Sequence, residues 1–373
     1  MLIDGFQIQV HTSTRQLSDD WPEADDRTGC ALFVFQSRTF LQAWEASYGR
    51  KRNVRLCLVE VRRQDGDPVI FLPLYLSRHY GARVLSFIDG GVVDYGAPVI
   101  FPAAAQLSHI TITAILERVL SAVPPHDIVA FTKLPERVET CPNPLWPFTN
   151  RSSVASAHAI SLTRPLDEIE ASIQSIRNIR KRDRALQRMG ELRFFLPEAE
   201  RKAVLTTMLR QKQRRFEETM VPGFDAHPEK QRFFEEATER LVRRGALHFS
   251  ALALDGTILA TMWSLVRKDR YCAMITTFED GVWSRYSPGK VLMLHLVRAL
   301  KSDGYACLDL GFGDEPWKQE LCDRTIALRD YIRVVTHRGR MALYLENGVA
   351  SLRASPLYRK LRPLKWRLLR GIR

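Results

Sequence analysis

The four residues Ser287-Pro-Gly-Lys290 could bind an anion at the start of a helix. Proline fits the first helical position, where its missing N–H is not needed, and glycine lets a ligand approach the backbone. The N–H groups of Gly289, Lys290 and Val291 would point outward at the positive end of the helix dipole, beside the mobile charge of Lys290. This pattern predicts phosphate binding, and an ordinary helix capped by Ser287 is the alternative.

Two apolar strands are expected to flank this turn. Residues 271–277 are typical of a strand, residues 291–300 repeat apolar side chains on one helical face, and residues 308–314 form a second strand that ends in a glycine-rich turn. Because the helix has one apolar face, we expect it to pack on the sheet that contains both strands. The turn would then lie at the edge of an anion-binding α/β unit.

Asp309 and Lys318 lie on either side of the glycine-rich turn. Ligands of α/β sheets bind at the carboxyl ends of the strands, so both residues are candidate catalytic groups. Asp309 could orient Lys318 or accept a proton from an amine through water. The alternatives are a carboxylate that caps the next turn and a solvated lysine.

Two further groups of residues could bind a substrate. Asp94 and Tyr95 lie in a glycine-flanked loop and could reach an acceptor from the N-terminal half, although hairpin turns use the same glycines. Arg177 and Lys181 belong to a basic stripe with helical spacing, which could bind an anionic acceptor or carrier. A solvated helix face is the alternative for this stripe.

Length and charge indicate two domains with different partners. A chain of 373 residues exceeds the size of a typical single core. Residues 1–150 carry 14 Lys and Arg against 16 Asp and Glu, whereas the remainder carries 41 against 26. The residues after Glu346 include 8 basic and no acidic side chains. The C-terminal half should therefore bind anionic partners, among which are a nucleotide cofactor, an acidic carrier protein, RNA and a membrane surface.

Composition also suggests a compartment. The first residues lack a basic segment followed by an apolar stretch, and no apolar run has the length of a membrane span, so we expect a cytoplasmic protein. The 6 cysteines and 9 histidines show no metal-ligand spacing. We therefore expect reduced cysteines and no metal.

Both halves show the order helix, hairpin, strand, helix, strand, which suggests a duplicated α/β module. In the first half we expect a helix over residues 37–49, a hairpin of strands 55–61 and 68–76, and a strand over residues 92–100. In the second half we expect one basic helix over residues 166–188, followed by a hairpin with the turn Asp255-Gly256.

From about residue 33 to residue 330 the chain resembles the GNAT acyltransferases of the CelD-type branch, associated with cellulose biosynthesis, whose tandem modules are similar to the Fem-type peptidyltransferases. The resemblance rests on the order and spacing of short motifs: Phe71-Leu-Pro-Leu74, Asp94-Tyr95, Ile176-Arg-Asn-Ile-Arg-Lys181 with Gly190, Leu252-Ala-Leu-Asp-Gly256, Ser287-Pro-Gly289 and Asp309-Leu-Gly-Phe-Gly-Asp-Glu-Pro-Trp-Lys318.

The resemblance implies an α/β (α+β) fold of two tandem GNAT-like domains, each a mixed, largely antiparallel sheet flanked by helices. It also implies an acyl-CoA donor, acetyl-CoA in the simplest case, whose pyrophosphate would lie on the 287–290 turn. A strand amide among Met274, Ile275 and Thr276 would stabilise the oxyanion, and Lys318 would contact the oxyanion or a phosphate. The usual GNAT loop has more glycine than this turn, so an acyl carrier protein and aminoacyl-tRNA remain alternative donors.

Together with these patterns, the resemblance implies an N-acyltransferase that acylates an amine on a small molecule, a sugar or a cell-envelope polysaccharide precursor. The expected units are an N-terminal domain over residues 1–155 without its own donor site, a catalytic domain over residues 156–345, and a basic tail over residues 346–373 that could contact the inner face of a membrane. A Fem-type transferase that uses aminoacyl-tRNA and a non-catalytic accessory protein are the alternatives.

Overall fold

Two mixed β-sheets form the framework of the protein. The structure is a computed structural model, which describes residues 5–26, 29–195 and 198–354. The segment 357–370, on which the membrane contact of the tail was predicted, lies outside these residues. None of the helices within the described ranges is long and apolar enough to cross a membrane.

The first sheet, called the N-sheet, is built mainly from the N-terminal half. Its apolar strands β2 and β3 form the predicted hairpin, and Gly66 provides the positive φ of 97° that the turn requires. The elements of this half are β1 (Phe6–His11), α1 (Arg38–Ser47), β2 (Arg55–Arg63), β3 (Pro68–His79), β4 (Ala82–Phe87), β5 (Val99–Ile100), α2 (His109–Ala122), β6 (Ile128–Pro135), β7 (Arg137–Val138), β8 (Cys141–Pro142) and β9 (Arg151–Ser152).

The second sheet, called the C-sheet, contains the predicted hairpin β12–β13. The elements of this half are β10 (Ala157–Ser161), α3 (Leu166–Ser172), α4 (Ile176–Gln187), β11 (Leu192–Phe195), α5 (Arg201–Glu218), α6 (Pro228–Val242), β12 (Leu247–Leu254), β13 (Thr257–Arg267), β14 (Arg270–Phe278), α7 (Pro288–Ser302), β15 (Cys307–Phe312), α8 (Pro316–Leu321), β16 (Arg324–Ile326), β17 (Leu328–Val334) and α9 (His337–Ala354).

The end of the chain returns to the first sheet. The order of the N-sheet is β1-β2-β3-β4-β6-β17-β9, with β5 beside β3, whereas the C-sheet has the order β11-β12-β13-β14-β15-β10-β16. Helix α9 also packs on the N-sheet, because an added Cβ at Gly339 would lie 2.2 Å from the carbonyl oxygen of Asp127. Residues 328–354 therefore complete the fold of the N-terminal half, although the sequence prediction grouped residues up to 345 with the C-terminal domain.

Each sheet contains one pair of parallel strands joined by a helix. In the N-sheet, β4 pairs with β6 and α2 connects them; in the C-sheet, β14 pairs with β15 and α7 connects them. The two halves thus repeat the same βαβ unit within otherwise antiparallel sheets. This arrangement confirms the predicted α/β fold of two similar modules.

Two predicted elements differ from the structure. Of the strand expected over residues 92–100, only β5 is formed, because Gly90 and Gly91 adopt positive φ and lead the chain into a loop. The single helix expected over residues 166–188 is instead divided into α3 and α4. At the break, the N–H of Gln174 donates to the carbonyl of Glu320 rather than to the helix.

Helices α1 and α6 join the two halves through an aromatic core. Phe233 of α6 packs against Phe40 of α1, with ring centroids 5.2 Å apart, and it also contacts Trp263 of β13. All three side chains are fully buried. Burial of a side chain such as Phe233 stabilises the protein by about 2 to 3 kcal/mol, so this contact holds the two sheets in a fixed relation.

Candidate active site

The parallel strands β14 and β15 separate after a short paired segment. Arg270 to Cys272 pair with Cys307 to Asp309, and beyond this point the described strands diverge. On its other side β14 pairs with β13, with a shift in register that leaves Met274 between the paired residues Ala273 and Ile275. The edge of β14 that carries Met274, Ile275 and Thr276 is therefore open toward the gap between the strands.

The helix α7 begins at this gap, but Ser287 does not cap it. Ser287 has a left-handed backbone with φ 47° and ψ 59°, and its side chain makes no capping hydrogen bond. Its Oγ instead accepts a hydrogen bond from the guanidinium of Arg182 at 2.8 Å. The expected serine cap is therefore wrong, and the side chain leaves the first turn of the helix uncovered.

Only part of the predicted set of free N–H groups is present. The amides of Lys290 and Val291 donate to the carbonyl of Ser287 at 2.9 and 3.2 Å, because α7 starts with a tight turn. Among the described residues, the N–H of Gly289 has no hydrogen-bond acceptor. One backbone N–H at the positive end of the helix is thus available to an anion.

Lys290 and Gly289 have close neighbours. The ammonium of Lys290 forms an ion pair with Glu320 of α8. A Cβ added at Gly289 would lie 3.1 Å from the ring of Phe278, whose side chain is exposed at the end of β14. Because residue 289 is glycine, the side chain of Phe278, the last residue of β14, can pack against the start of α7.

Arg182 is a candidate site residue that the sequence prediction missed. It lies on α4, is partly buried, and donates to Ser287, the residue that precedes the first turn of α7. Its spacing contained the signal: Ile179 and Leu186, both buried, occupy the same helical face as position 182. A guanidinium beside a helix N-terminus is well suited to a phosphate.

Arg177 and Lys181 are not brought to this site. Both side chains are exposed on α4, and within the described chain neither forms an ion pair. The predicted substrate-binding role of these two residues stays a prediction, and the structure places them on a solvent face.

Asp309 is fully buried at the point where β14 and β15 separate. Its carboxylate accepts hydrogen bonds from the hydroxyl of Tyr95 at 2.8 Å and from the N–H of Gly311 at 2.8 Å. Nε of Arg270 lies 3.0 Å from the same carboxylate. Asp309 therefore joins the loop of the N-terminal half to the C-sheet, and the contacts described for it do not include Lys318.

Lys318 is buried on α8 and points back at the turn after β15. Its ammonium donates to the carbonyl oxygens of Phe312 at 2.7 Å and Gly311 at 3.4 Å, and it forms an ion pair with Glu315 at 3.0 Å. These contacts fix the glycine-rich turn and place a positive charge near Asp94, whose pKa it lowers in part.

Asp94 faces the end of β15 from the N-terminal half. An added Cβ at Gly311 would lie only 2.2 Å from its carboxylate, so glycine, with φ 69°, is required for this approach. Burial and then the charge of Asp309 raise the pKa of Asp94, which reaches about 7 against the lowering effects of Lys133, the N–H of Phe312 and Lys318. Asp94 is therefore poised to exchange a proton near neutral pH.

Tyr95, predicted with Asp94 to bind an acceptor, has a structural environment. The ring is buried, stacks on Phe33 with centroids 4.4 Å apart, and donates its hydroxyl to Asp309. Burial raises the pKa of the phenol well above its usual value, so Tyr95 stays protonated. It positions Asp309 and leaves Asp94 as the residue of this pair whose carboxylate lies at the end of β15.

A cavity of about 520 Å³ lies on the N-sheet next to the same loop. Its walls come from β3, β4, β6, α1, α9 and the start of α6, and they include the loop residue Gly90. The loop 89–95 thus borders this cavity at one end and presents Asp94 to β15 at the other. Within the described residues, no group of histidine, cysteine, aspartate and glutamate side chains could hold a metal ion.

Residues 174–319 match the protein family described as an acetyltransferase (GNAT) domain. No curated protein sequence matches the chain. Among solved structures, FemX superposes with a TM-score of 0.55 at 10% identity, covering 79% of this chain and 91% of FemX. The C-terminal domain of a protein named as a lysylphosphatidylglycerol synthetase from Agrobacterium fabrum gives 0.52 at 11% identity, with coverage of 84% and 90%.

A third structure, L-PGS from Bacillus licheniformis, gives a TM-score of 0.50 at 12% identity and covers 82% of this chain and 90% of its own. At these identities the structural neighbours show the fold alone. The family match supports an acyltransferase, and the matched range contains β14, α7 and β15, the elements that form the gap.

Proposed function

We propose that this protein is an N-acyltransferase that moves an acyl group, acetyl in the simplest case, from acyl-CoA to an amine. The donor would lie in the gap between β14 and β15, with its pyrophosphate on the N–H of Gly289 and the guanidinium of Arg182. Two observations support the proposal. The start of α7 is uncapped, with Arg182 held on Ser287, and the carboxylate of Asp94 lies against Gly311 of β15, the strand that follows this helix.

The residues fit the steps of such a transfer. The amine nitrogen attacks the thioester carbonyl carbon while Asp94, with a pKa of about 7, accepts the proton that the nitrogen loses. A backbone N–H among Met274, Ile275 and Thr276 would stabilise the oxyanion. The C–S bond then breaks, the thiolate leaves and takes up a proton, and the amide remains on the acceptor.

Asp309 and Lys318 are proposed to support this chemistry by position. Asp309 holds Tyr95, and through it the loop that carries Asp94, whereas Lys318 holds the end of β15 at Gly311 and Phe312. The earlier assignment of Lys318 to the oxyanion would require its ammonium to leave the carbonyl of Phe312. A role in fixing the geometry agrees better with the contacts of both residues.

The acceptor is proposed to be an amine on a sugar or on a cell-envelope precursor, and the protein to belong to the CelD-type branch at the cytoplasmic face of the membrane. The names of two structural neighbours, FemX and a lysylphosphatidylglycerol synthetase, motivate the envelope as the setting. Transfer from aminoacyl-tRNA is the second candidate, because Arg177 and Lys181 are exposed on α4 without ion-pair partners among the described residues. An acyl carrier protein as donor would use the same surface.

Donor binding can be tested by thermal unfolding with acetyl-CoA. We expect acetyl-CoA to raise the melting temperature of the wild-type protein, and we expect Gly289→Glu to abolish the shift, because its carboxylate would occupy the phosphate position and repel the ligand. The matched control is Gly348→Glu, which adds the same charge on α9, where nothing lies within 4 Å of an added Cβ.

Absence of a shift in the wild-type protein with every acyl-CoA tested would refute the proposed donor. RNA binding that weakens steeply with salt, and that is lost in a variant with both Arg177→Gln and Lys181→Gln, would then support aminoacyl-tRNA instead.

A further inference from the structure

Helix α9 packs on the N-sheet with one side, called its inner side. An added Cβ at Gly339 would meet the backbone of Asp127 at 2.2 Å. Ala342 and Leu343 belong to the same side and line the N-sheet cavity. A Cβ added at Gly348, by contrast, has nothing within 4 Å. The helix therefore also has an outer side that is open.

The outer side carries large apolar side chains. Met341, Tyr344 and Leu345 are 61%, 67% and 52% exposed. At about 100° per residue, these three positions fall within an arc of about 100° on the helix, opposite to the packed side. Val334 and Val335, which precede the helix, are exposed as well. Five of the 12 large apolar side chains exposed within the described residues thus lie in the segment 334–345, which forms a patch rather than scattered single residues.

Arginines border this apolar outer side at both edges. Arg338 and Arg340 are exposed, and by the same helical spacing they lie on either side of the apolar arc. Among the described residues, neither forms an ion pair with a carboxylate. The acidic residue of α9, Glu346, lines the cavity instead and lies 3.8 Å from His79. The outer side is therefore apolar at its centre and positively charged at its edges.

Charge favours one kind of partner for this surface. The sequence that follows α9, residues 355–373, contains 7 basic and no acidic side chains. Like charges repel, so this segment is a poor cover for a surface bordered by Arg338 and Arg340. A second copy of the chain would bring the same arginines together at one interface. An anionic bilayer has the opposite charge, and its headgroup region accepts apolar and aromatic side chains.

We propose that the outer side of α9 docks on the surface of an anionic lipid bilayer. Met341, Tyr344 and Leu345 enter the headgroup region, and Arg338 and Arg340 bind lipid phosphates. The helix lies in the plane of the interface, because its charged edges flank its apolar centre. This contact deepens the proposed function, on whose membrane setting it rests, and it places the bilayer beside the cavity that the inner side of α9 lines.

Cosedimentation of the full chain with lipid vesicles tests this contact. We expect the wild-type protein to bind vesicles of phosphatidylcholine and phosphatidylglycerol in equal parts, and to bind them less as salt is raised. Arg338→Gln with Arg340→Gln should weaken binding about thirtyfold, because each basic residue near the surface contributes about fivefold. Met341→Ser with Leu345→Ser should weaken it at least about tenfold, because less apolar area leaves water.

Two double variants serve as matched controls. Arg184→Gln with Arg188→Gln removes two exposed arginines from α4 and its end, and Ile110→Ser with Val154→Ser removes two exposed apolar side chains from the N-terminal half. Each control should change vesicle binding less than about twofold, because surface attraction falls off within a Debye length.

Three results would overturn the proposed contact: no binding of the wild-type protein to the anionic vesicles, unchanged binding in both α9 variants, and equal losses in the controls. A dimer that Met341→Ser with Leu345→Ser dissociates would also overturn it, and would assign the outer side of α9 to a second copy. Vesicle binding requires neither acetyl-CoA nor an amine, so its failure would leave the proposed acyl transfer to the thermal-unfolding test.

Discussion

The two parallel strand pairs differ at the start of the helix that connects them. In the N-sheet, Ser108 caps α2 in the usual way, because its Oγ accepts the N–H of Thr111 at 3.1 Å. In the C-sheet, Ser287 stands at the equivalent position of α7, but its backbone is left-handed and its side chain is held by Arg182. One helix start is closed by its own serine, and the other is open beside a guanidinium.

Under the proposed function, the two copies of the unit have different roles. The closed N-terminal unit contributes the loop with Asp94, whereas the open C-terminal unit contributes the gap between β14 and β15. Asp94 and Tyr95 cross from the first unit to the second, where they meet Gly311 and Asp309. The proposed active site therefore needs both units, although only the second has an open helix start.

The largest effect is expected from removing the carboxylate of Asp94, which the N-terminal unit contributes to the proposed active site. Asp94→Asn should lower kcat by about 10²- to 10⁴-fold, because the amine loses its proton acceptor. For the wild-type protein, kcat/KM should rise with pH up to about 7 and then level off, since Asp94 must be ionised. Release of free thiol from acetyl-CoA with an amine acceptor measures both quantities, and Asp65→Asn in the exposed β2–β3 turn is the control.

Asp94→Asn is also expected to change how the stability of the protein depends on pH. The pKa of Asp94 is about 7 in the folded protein and near 3.8 when unfolded, so the folded state holds the proton more tightly between these values. The contribution of this bound proton to the unfolding free energy is present at low pH and is lost as the pH rises through 7. Relative to wild type, Asp94→Asn should gain about 2.5 kcal/mol in unfolding free energy between pH 5 and pH 8. Urea unfolding of both proteins at pH 5 and at pH 8 measures this gain. The same difference in unfolding free energy at the two pH values would contradict the prediction.

The contact between the units can be tested at Gly311. Gly311→Ala should destabilise the protein by about 2 to 4 kcal/mol, since its Cβ would meet the carboxylate of Asp94 in addition to the strain of a positive φ. Gly304→Ala, which has φ 84° and open space, isolates the strain and should cost about 1 kcal/mol. Equal losses in the two variants would show that Asp94 does not press on position 311.

The open helix start can be tested through its guanidinium. Arg182→Gln should raise the KM for acetyl-CoA about tenfold while changing kcat little, because a ground-state contact to phosphate is lost. Arg177→Gln removes the same charge from the exposed face of the same helix and should leave KM within about twofold. Equal effects of both substitutions on KM would indicate that the overall positive charge of α4, rather than a contact of Arg182, attracts acetyl-CoA.

The sequence predicted the βαβ unit around α7 well. Apolar periodicity marks a helix and the Asp255-Gly256 turn marks a hairpin, because both signals are local. The glycine-flanked loop around Asp94 was recognised, but a strand was also predicted over residues 92–100, because the valines resemble a strand and the effect of Gly90 and Gly91 depends on their φ. The return of β17 to the N-sheet and the contact of Arg182 with Ser287 join residues that lie far apart in the chain, and no local pattern encodes them.

The smallest predicted effect distinguishes the two serines themselves. Ser108→Ala should cost about 1 kcal/mol of unfolding free energy, because the N–H of Thr111 loses its acceptor. Ser287→Ala should cost less than about 0.5 kcal/mol, since Ser287 caps nothing and Arg182 can turn to water. Chemical denaturation of the pair measures the difference. A larger loss at Ser287 would mean that its hydroxyl closes the helix start in solution, in which case Gly289 would not offer its N–H to a phosphate.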